Sequence, residues 1–261
     1  VDVGLGVGEG AADADAAITD GAVLAPWVIA GPGPAAGPAA VGVMPHWESL
    51  QFPGWQQACD LAGYRLLNPI GDPASVVQTL RGMSLVLTES LHGAIIADSC
   101  GIPWVPIRTS RNFSVFKWMD WCLSMQVDLV AITVPPPSVD ALLRFGRPVR
   151  RRWGERIRFS ADDAIDEFDH RVGMTPATNR PPECAARGRA RLRMALERSA
   201  TLRGALGRIA GCHPVRTAAH LVRAAQADPM LSRAALREQR RDQMAERFGE
   251  LCRIAAQQAV T

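Results

Sequence analysis

Leu87-Thr88-Glu89-Ser90-Leu91-His92-Gly93-Ala94-Ile95-Ile96-Ala97 is the stretch on which the fold of this chain turns. A short apolar run feeds a turn, and the turn opens an apolar helix that begins with a histidine and a glycine. In an open parallel sheet, ligands bind beyond the carboxyl ends of the strands. There the next helix turns free N–H groups and the positive end of its dipole outward. The stretch predicts a strand-to-helix unit and a place for chemistry, with His92 at its edge.

The same alternation repeats on either side. Val41–Met44 reads as a buried strand, Pro53–Gly63 as a helix closed by its glycine, and Tyr64–Asn68 as a second strand. Asp72-Pro73 is an N-cap followed by proline at the first helical position, which predicts a helix to Gly82. Ser84–Thr88 is the third strand. The His92 helix stops at Gly101, Trp104–Ile107 is the fourth strand, and Phe113–Met125 reads as an aromatic-rich amphipathic helix. Strands alternating with helices in this way predict an α/β fold, built of βαβ units around a Rossmann-like parallel sheet.

On the amino-terminal side, Gly31-Pro32-Gly33-Pro34-Ala35-Ala36-Gly37-Pro38 breaks any regular structure. The chain begins at Val1, as a piece of something longer would. Beyond Pro135–Pro137 the composition shifts: Asp162–Arg171, Ala186–Arg208, Val215–Ala227 and Ser232–Ala259 read as helices. This predicts an α-helical C-terminal appendage over residues 150–261. Between Ala186 and Arg208, Arg187, Arg189, Arg191, Arg193, Arg198, Arg203 and Arg208 are set against a single Glu197, as a solvated helix face or as a surface for an acidic or phosphate-bearing partner.

Bulk properties exclude several classes. With 261 residues, 48% of them hydrophobic, the chain can bury a substantial core. Its net charge of +3 calls for neither nucleic acid nor membrane. The six cysteines show no C-x-x-C and no metal-ligand spacing, which fits reduced thiols in a reducing compartment and predicts no metal site. Ala22–Ala30 is interrupted by Pro26, is too short to span a bilayer, and lacks the basic flank of a signal peptide, so a cytoplasmic location is expected. There is no phosphate-binding glycine fingerprint between strand and helix, no Walker lysine, no nucleophile elbow and no H-E-x-x-H.

Three strand-end loops hold the candidate residues. His92 can serve as an acid or base, or as a structural hydrogen-bonding group. Glu89 and Ser90 lie beside it; Glu89 can orient His92, accept from a sugar hydroxyl, or satisfy backbone donors of the helix. Gly93 marks the helix N-terminus. The second loop carries Arg108, Ser110 and Arg111, with Lys117 further on, a set suited to a carboxylate or phosphate because guanidinium forks match such oxygens. The third carries His46 and Glu48, which share the same cleft if the first, third and fourth strands lie side by side; packing of His46 on Trp47 is the alternative.

Glu89-Ser90-Leu91-His92-Gly93-Ala94-Ile95-Ile96-Ala97 followed by Gly101-Ile102-Pro103-Trp104-Val105-Pro106-Ile107 resembles the polysaccharide pyruvyltransferase family, especially its succinoglycan-type exopolysaccharide members. Ile18–Ala22, Gly42–His46, Gly71-Asp72-Pro73, Phe116-Lys117-Trp118, Asp120-Trp121-Cys122 and Pro229–Ser232 add to the likeness, which covers most of residues 15–260. The resemblance implies transfer of pyruvate from phosphoenolpyruvate onto a sugar as a ketal, with no cofactor. It also implies the C-terminal half of a GT-B-like two-domain fold: residues 1–38 would be a remnant of the N-terminal domain and linker, and residues 39–137 the Rossmann-like domain.

The family's motif histidine maps onto His92, as general acid, and its phosphoenolpyruvate-gripping basic residue onto Arg111. The expected partners are phosphoenolpyruvate and a saccharide acceptor, free or lipid-linked, with no nucleic acid and at most peripheral membrane contact. Two other functions fit the same residues. One is a GT-B glycosyltransferase using a nucleotide sugar, with Glu89 on the ribose; the other is a non-catalytic, truncated interaction module.

Overall fold

Val41–Met44 (β1) is apolar throughout because helices cover both of its faces, as in parallel sheets generally. The computed structural model describes residues 18–29, 40–148, 152–173 and 199–258. The sheet contains β1, β2 (Arg65–Leu66), β3 (Leu85–Thr88), β4 (Trp104–Arg108), β5 (Val130–Thr133) and β6 (Arg156–Arg158), in the spatial order β2-β1-β3-β4-β5-β6. All neighbours run parallel except β5 and β6. The described helices are α1 (Ala25–Val28), α2 (Trp47–Leu50), α3 (Trp55–Ala62), α4 (Pro73–Arg81), α5 (Leu91–Ser99), α6 (Val115–Ser124), α7 (Val139–Phe145), α8 (Ala161–Gly173), α9 (Ala200–Ala210), α10 (Pro214–Ala224) and α11 (Ala234–Gln258).

Local chemistry starts and stops these helices. The Asp72 carboxylate accepts from the Ser75 N–H at 2.9 Å with Pro73 in the first turn, and Gly63 closes α3 at a φ of 71°, a left-handed conformation glycine adopts without penalty. Two apolar layers flank the sheet. Leu80, Ala94, Ile95, Ala97, Trp118 and Trp121 cover one face, and Trp55, Ala58, Cys59, Leu221 and Ala224 the other. Gly93 has to be glycine for packing. A Cβ there would lie 2.5 Å from the Thr88 hydroxyl and 2.6 Å from the Met44 sulfur, so α5 can press onto the ends of β1 and β3 only without one.

The sheet runs on past residue 137. β6 joins β5 antiparallel, with Ile157 buried between exposed Arg156 and Arg158; three residues are too few to show periodicity, so the segment gave no strand signal. The helical region is likewise no appendage. Met230 and Trp104 exchange backbone hydrogen bonds of 3.0 and 2.7 Å. Buried Asp98 accepts from the Trp104 indole at 3.0 Å, the Ser232 N–H at 2.8 Å and the Ser232 hydroxyl at 2.5 Å. Helix α10 packs on α3, and Thr217 donates to the Pro135 carbonyl at 2.9 Å. At the other end of the chain, Val23 is buried in the core with the α5 side chains, and Arg241 of α11 lies over Trp27. Five of the arginines of the basic run, Arg187, Arg189, Arg191, Arg193 and Arg198, lie outside the described residues.

The docking of α10 is expected to weaken at acid pH through His220. It is buried against Gly154, and its Nδ1 has no hydrogen-bond partner among the described residues. Burial first, and then the charges of Arg223 and Arg216, push its pKa down to about 4. The neutral ring is thus the folded form. Its stabilisation is complete above the ordinary histidine range and is lost as pH falls from about 6.5 through about 4. Denaturant midpoints at pH 7 and pH 4.5 should show the wild type losing up to roughly 3 kcal/mol more than His220→Leu. Equal losses in the two chains would remove His220 as the cause.

Candidate functional site

The sheet order reverses between β1 and β3, because the chain runs from β1 out to β2 and returns across β1 to β3. At such a switch point the connections leave on opposite faces and open a crevice at the strand ends. The loops after β1, β3 and β4 meet there. Glu89, first residue beyond β3, ties them together: it is 2% exposed, its Oε1 accepts from the Thr109 hydroxyl, and its Oε2 accepts from the His46 N–H at 3.2 Å. Its own N–H donates to the Met44 carbonyl at 2.9 Å. Burial raises the Glu89 pKa, opposed by hydrogen bonds from Thr109 and from the His46 N–H.

A second link joins the first and third of these loops. The Asn112 side-chain amide lies 2.8 Å from His46 Nδ1 and donates to Glu48 Oε2 at 3.0 Å. His46 Nδ1 also accepts from the Glu48 N–H at 3.4 Å, which makes His46 the N-cap of α2. A closed circuit results, running from the His46 backbone through Glu89 and Thr109 to the β4 loop and back through Asn112 to the His46 ring. Trp47, half exposed, stands beside that ring at a centroid distance of 5.9 Å, so both readings of His46, cleft residue and partner of Trp47, describe its surroundings.

His92 is exposed as the second residue of α5, and its ring makes no hydrogen bond with the described residues. Ser90 is the N-cap and accepts from the Gly93 N–H at 3.4 Å. That N–H is therefore occupied, and the open donors of this helix end are those of Leu91 and His92.

The basic residues separate. Arg108 is the last residue of β4 and turns onto the α6 and α8 face, where it lies 4.0 Å from Glu167 and close to the Phe113 and Phe159 rings. Arg111 is exposed in the loop beyond it, its Nε donating to the Arg147 carbonyl at 3.1 Å. Ser110 is buried and accepts from the Asn112 N–H at 3.2 Å, which shapes the loop. Lys117 is exposed on α6, capped by Ser114. The structure thus brings His46, Glu89 and the β4 loop into direct contact, sets His92 and Arg111 on the exposed rim, and turns Arg108 inward.

Thr109 and Asn112 are the members of this constellation that sequence inspection passed over. Their signal was the hydroxyl-and-amide density of Arg108-Thr109-Ser110-Arg111-Asn112, but nothing local shows which side chains turn inward. The thiols stand apart from the site chemistry. Burial pushes Cys59 up to about 12 and Cys212 up to about 11, and raises Cys122 and Cys100 as well, so these thiols stay protonated at neutral pH. Among the described residues no three His, Cys, Asp or Glu side chains are gathered to hold a metal, and no helix is long and apolar enough to cross a membrane. A shallow groove lined by Gln56, Asp60, Tyr64 and Arg65 lies away from the strand-end loops.

Comparison with known proteins places these observations in a family context. Residues 42–111 match the model of the polysaccharide pyruvyl transferase family. The succinoglycan biosynthesis protein ExoV of Rhizobium meliloti (strain 1021) is 32% identical over 129 residues, 49% of this chain and 39% of that protein. The chain thus spans well under half the length of this curated relative. No solved structure matches it.

Proposed function

We propose, from the support that both matches give to the polysaccharide pyruvyltransferase family, that this chain transfers pyruvate from phosphoenolpyruvate onto an exopolysaccharide sugar or its lipid-linked precursor. The observation that carries the reading is one of register. The matched segment begins in β1 and ends at Arg111, so it contains the loops after β1 and β3 and the β4 loop as far as Arg111, including the Glu89 contacts to His46 and Thr109.

In the proposed reaction His92 acts as general acid and delivers a proton to the methylene carbon of phosphoenolpyruvate, leaving an oxocarbenium-like centre at the adjacent carbon. A sugar hydroxyl adds there. His92 takes back the proton of that hydroxyl, the bond to the phosphate oxygen breaks, and a second hydroxyl closes the ketal, its proton leaving on the departing phosphate. Histidine suits the first step because its ordinary pKa lies near neutral pH. Arg111 supplies the fixed cation for the carboxylate or phosphate, helped by the Leu91 and His92 N–H groups at the start of α5. Arg108, engaged with Glu167, supports the fold in this scheme. No cofactor enters.

The glycosyltransferase reading needs a free carboxylate for ribose. Glu89 is 2% exposed and spends both oxygens on Thr109 and His46, which leaves it out of reach of a ribose and favours pyruvyl transfer. The test is direct. With phosphoenolpyruvate and a saccharide acceptor, the chain should release phosphate only when the acceptor is present, and a ketal methyl signal should appear by NMR. Arg111→Ala should raise the phosphoenolpyruvate requirement by about 10- to 100-fold, as expected for losing a charge-assisted contact. Turnover of a nucleotide sugar in place of phosphoenolpyruvate would overturn the assignment.

A further inference from the structure

His46 carries two nitrogens with different surroundings, and the side chains around them determine which one bears the proton. A carboxylate only accepts hydrogen bonds, so the Asn112 atom 3.0 Å from Glu48 Oε2 must be the amide nitrogen. That same NH2 group lies 2.8 Å from His46 Nδ1. A second donor, the Glu48 N–H, points at Nδ1 from 3.4 Å. Two donors converge on one ring nitrogen, and only a bare nitrogen can accept from them. Nε2 therefore holds the proton. It makes no hydrogen bond with the described residues, and the His46 side chain, 28% exposed, stands in the loop that follows β1 at the switch point.

We propose that Asn112 is a positioning residue that locks His46 as the neutral Nε2–H tautomer, and that His46 thereby serves as a hydrogen-bond donor to an anionic oxygen of the substrate. The assignment separates the two histidines of the site. With its exposed nitrogen already protonated and its other nitrogen occupied, His46 cannot take a proton from a sugar hydroxyl; it donates a hydrogen bond to the anion, while His92 moves a proton. Glu89 completes the arrangement by gripping the His46 N–H from the β3 side, so ring and backbone are both held. The inference rests on the anion-binding part of the proposed reaction, and a phosphate or carboxylate oxygen meets its chemistry equally well.

Long-range proton–nitrogen correlation NMR on the whole chain reads the tautomer. At pH 7.5 the wild type should show a bare Nδ1 and a protonated Nε2 for His46; a protonated Nδ1 overturns the lock. Asn112→Leu should lose the single-tautomer signature, and its persistence in that variant overturns the role of Asn112. Inorganic phosphate and pyruvate, titrated separately, read the donor. His46→Phe should weaken whichever anion binds by about 10-fold, the loss of one hydrogen bond to a charged group.

His46→Gln places an amide donor near the Nε2 position and cannot act as acid or base, so it should stay within about 3-fold of the wild type by the same hydrogen-bond accounting. A His46→Gln chain as weak as His46→Phe, or no binding of either anion by the wild type, overturns the donor role. Binding of phosphate alone places the phosphoryl oxygen at His46, and binding of pyruvate alone places the carboxylate there. Anion binding that depends on His46 without any ketal product would leave this inference standing and remove pyruvyl transfer.

Discussion

His92→Ala is expected to lower acceptor-dependent phosphate release by about 10²- to 10⁴-fold while leaving phosphoenolpyruvate binding within a few-fold of the wild type. The size follows from the role. A general acid contributes in the transition state, so its loss appears in kcat, whereas the residues that hold the anion continue to bind it. The structure makes the variant interpretable. The ring is exposed and makes no hydrogen bond with the described residues, so truncation leaves no buried orphan and opens no cavity. Its cost to stability should remain within about 0.5 kcal/mol, as for other surface positions. Rapid-quench turnover, an equilibrium phosphoenolpyruvate titration and a melting curve together check it. Unchanged turnover with intact binding would take the acid role from His92.

Glu89→Ala is expected to do the opposite, lowering stability and function together. It leaves the Thr109 hydroxyl and the His46 N–H without their acceptor and opens a void at the junction of three loops. Two stranded donors cost about 2–4 kcal/mol, equivalent to a fall in Tm of roughly 5–15 °C for a chain of this size. Glu89→Gln should be milder, since the amide keeps one acceptor oxygen. It also removes a titration. Because burial raises the Glu89 pKa, the stability it contributes is complete below the ordinary glutamate range and declines as pH rises through the raised value. Glu89→Gln should therefore lack that decline. Melting curves of the three chains between pH 4 and pH 8 check both points, and a fall in Tm of under 2 °C for Glu89→Ala would show that the circuit carries little.

These two variants bracket the way the site is built. In the proposed reaction the chemistry sits on the rim, on His92 and Arg111, and the geometry underneath is held by Glu89, Thr109 and Asn112. A strand-end loop lacks the repeating hydrogen bonds of helix or sheet, so side chains supply the constraint. The buried carboxylate costs solvation energy, and its retention is consistent with a need to hold three loops in one register.

What could be read from the sequence was local. Asp72-Pro73 started α4 and Gly63 ended α3 because a cap acts on backbone groups within four residues of itself. Most of the strand and helix content from β1 through α6 followed from apolar periodicity, the short α2 excepted, and the position of His92 at the start of α5 followed from the apolar strand before it and the apolar run behind it. The strand order also lay within reach, since parallel strands joined by short helices have few ways to pack.

The functions of individual side chains at the strand ends did not. Arg108 and Arg111 look alike in the sequence, yet Arg108, the last residue of β4, turns toward Glu167 of α8 while Arg111, in the loop beyond, stays on the rim. Glu89 appeared free to take a sugar hydroxyl until Thr109, 20 residues on, and His46, 43 residues back, occupied both of its oxygens. The docking of the C-terminal helices depends on Asp98 and Ser232, 134 residues apart. Capping and periodicity involve neighbours along the chain, so the sequence by itself determined most of the elements through α6 and the position of His92 at a strand-to-helix turn. Hydrogen bonds between strand-end loops involve neighbours only in space, so the tertiary structure alone decided which side chains stay exposed at the rim and which are buried holding the loops together.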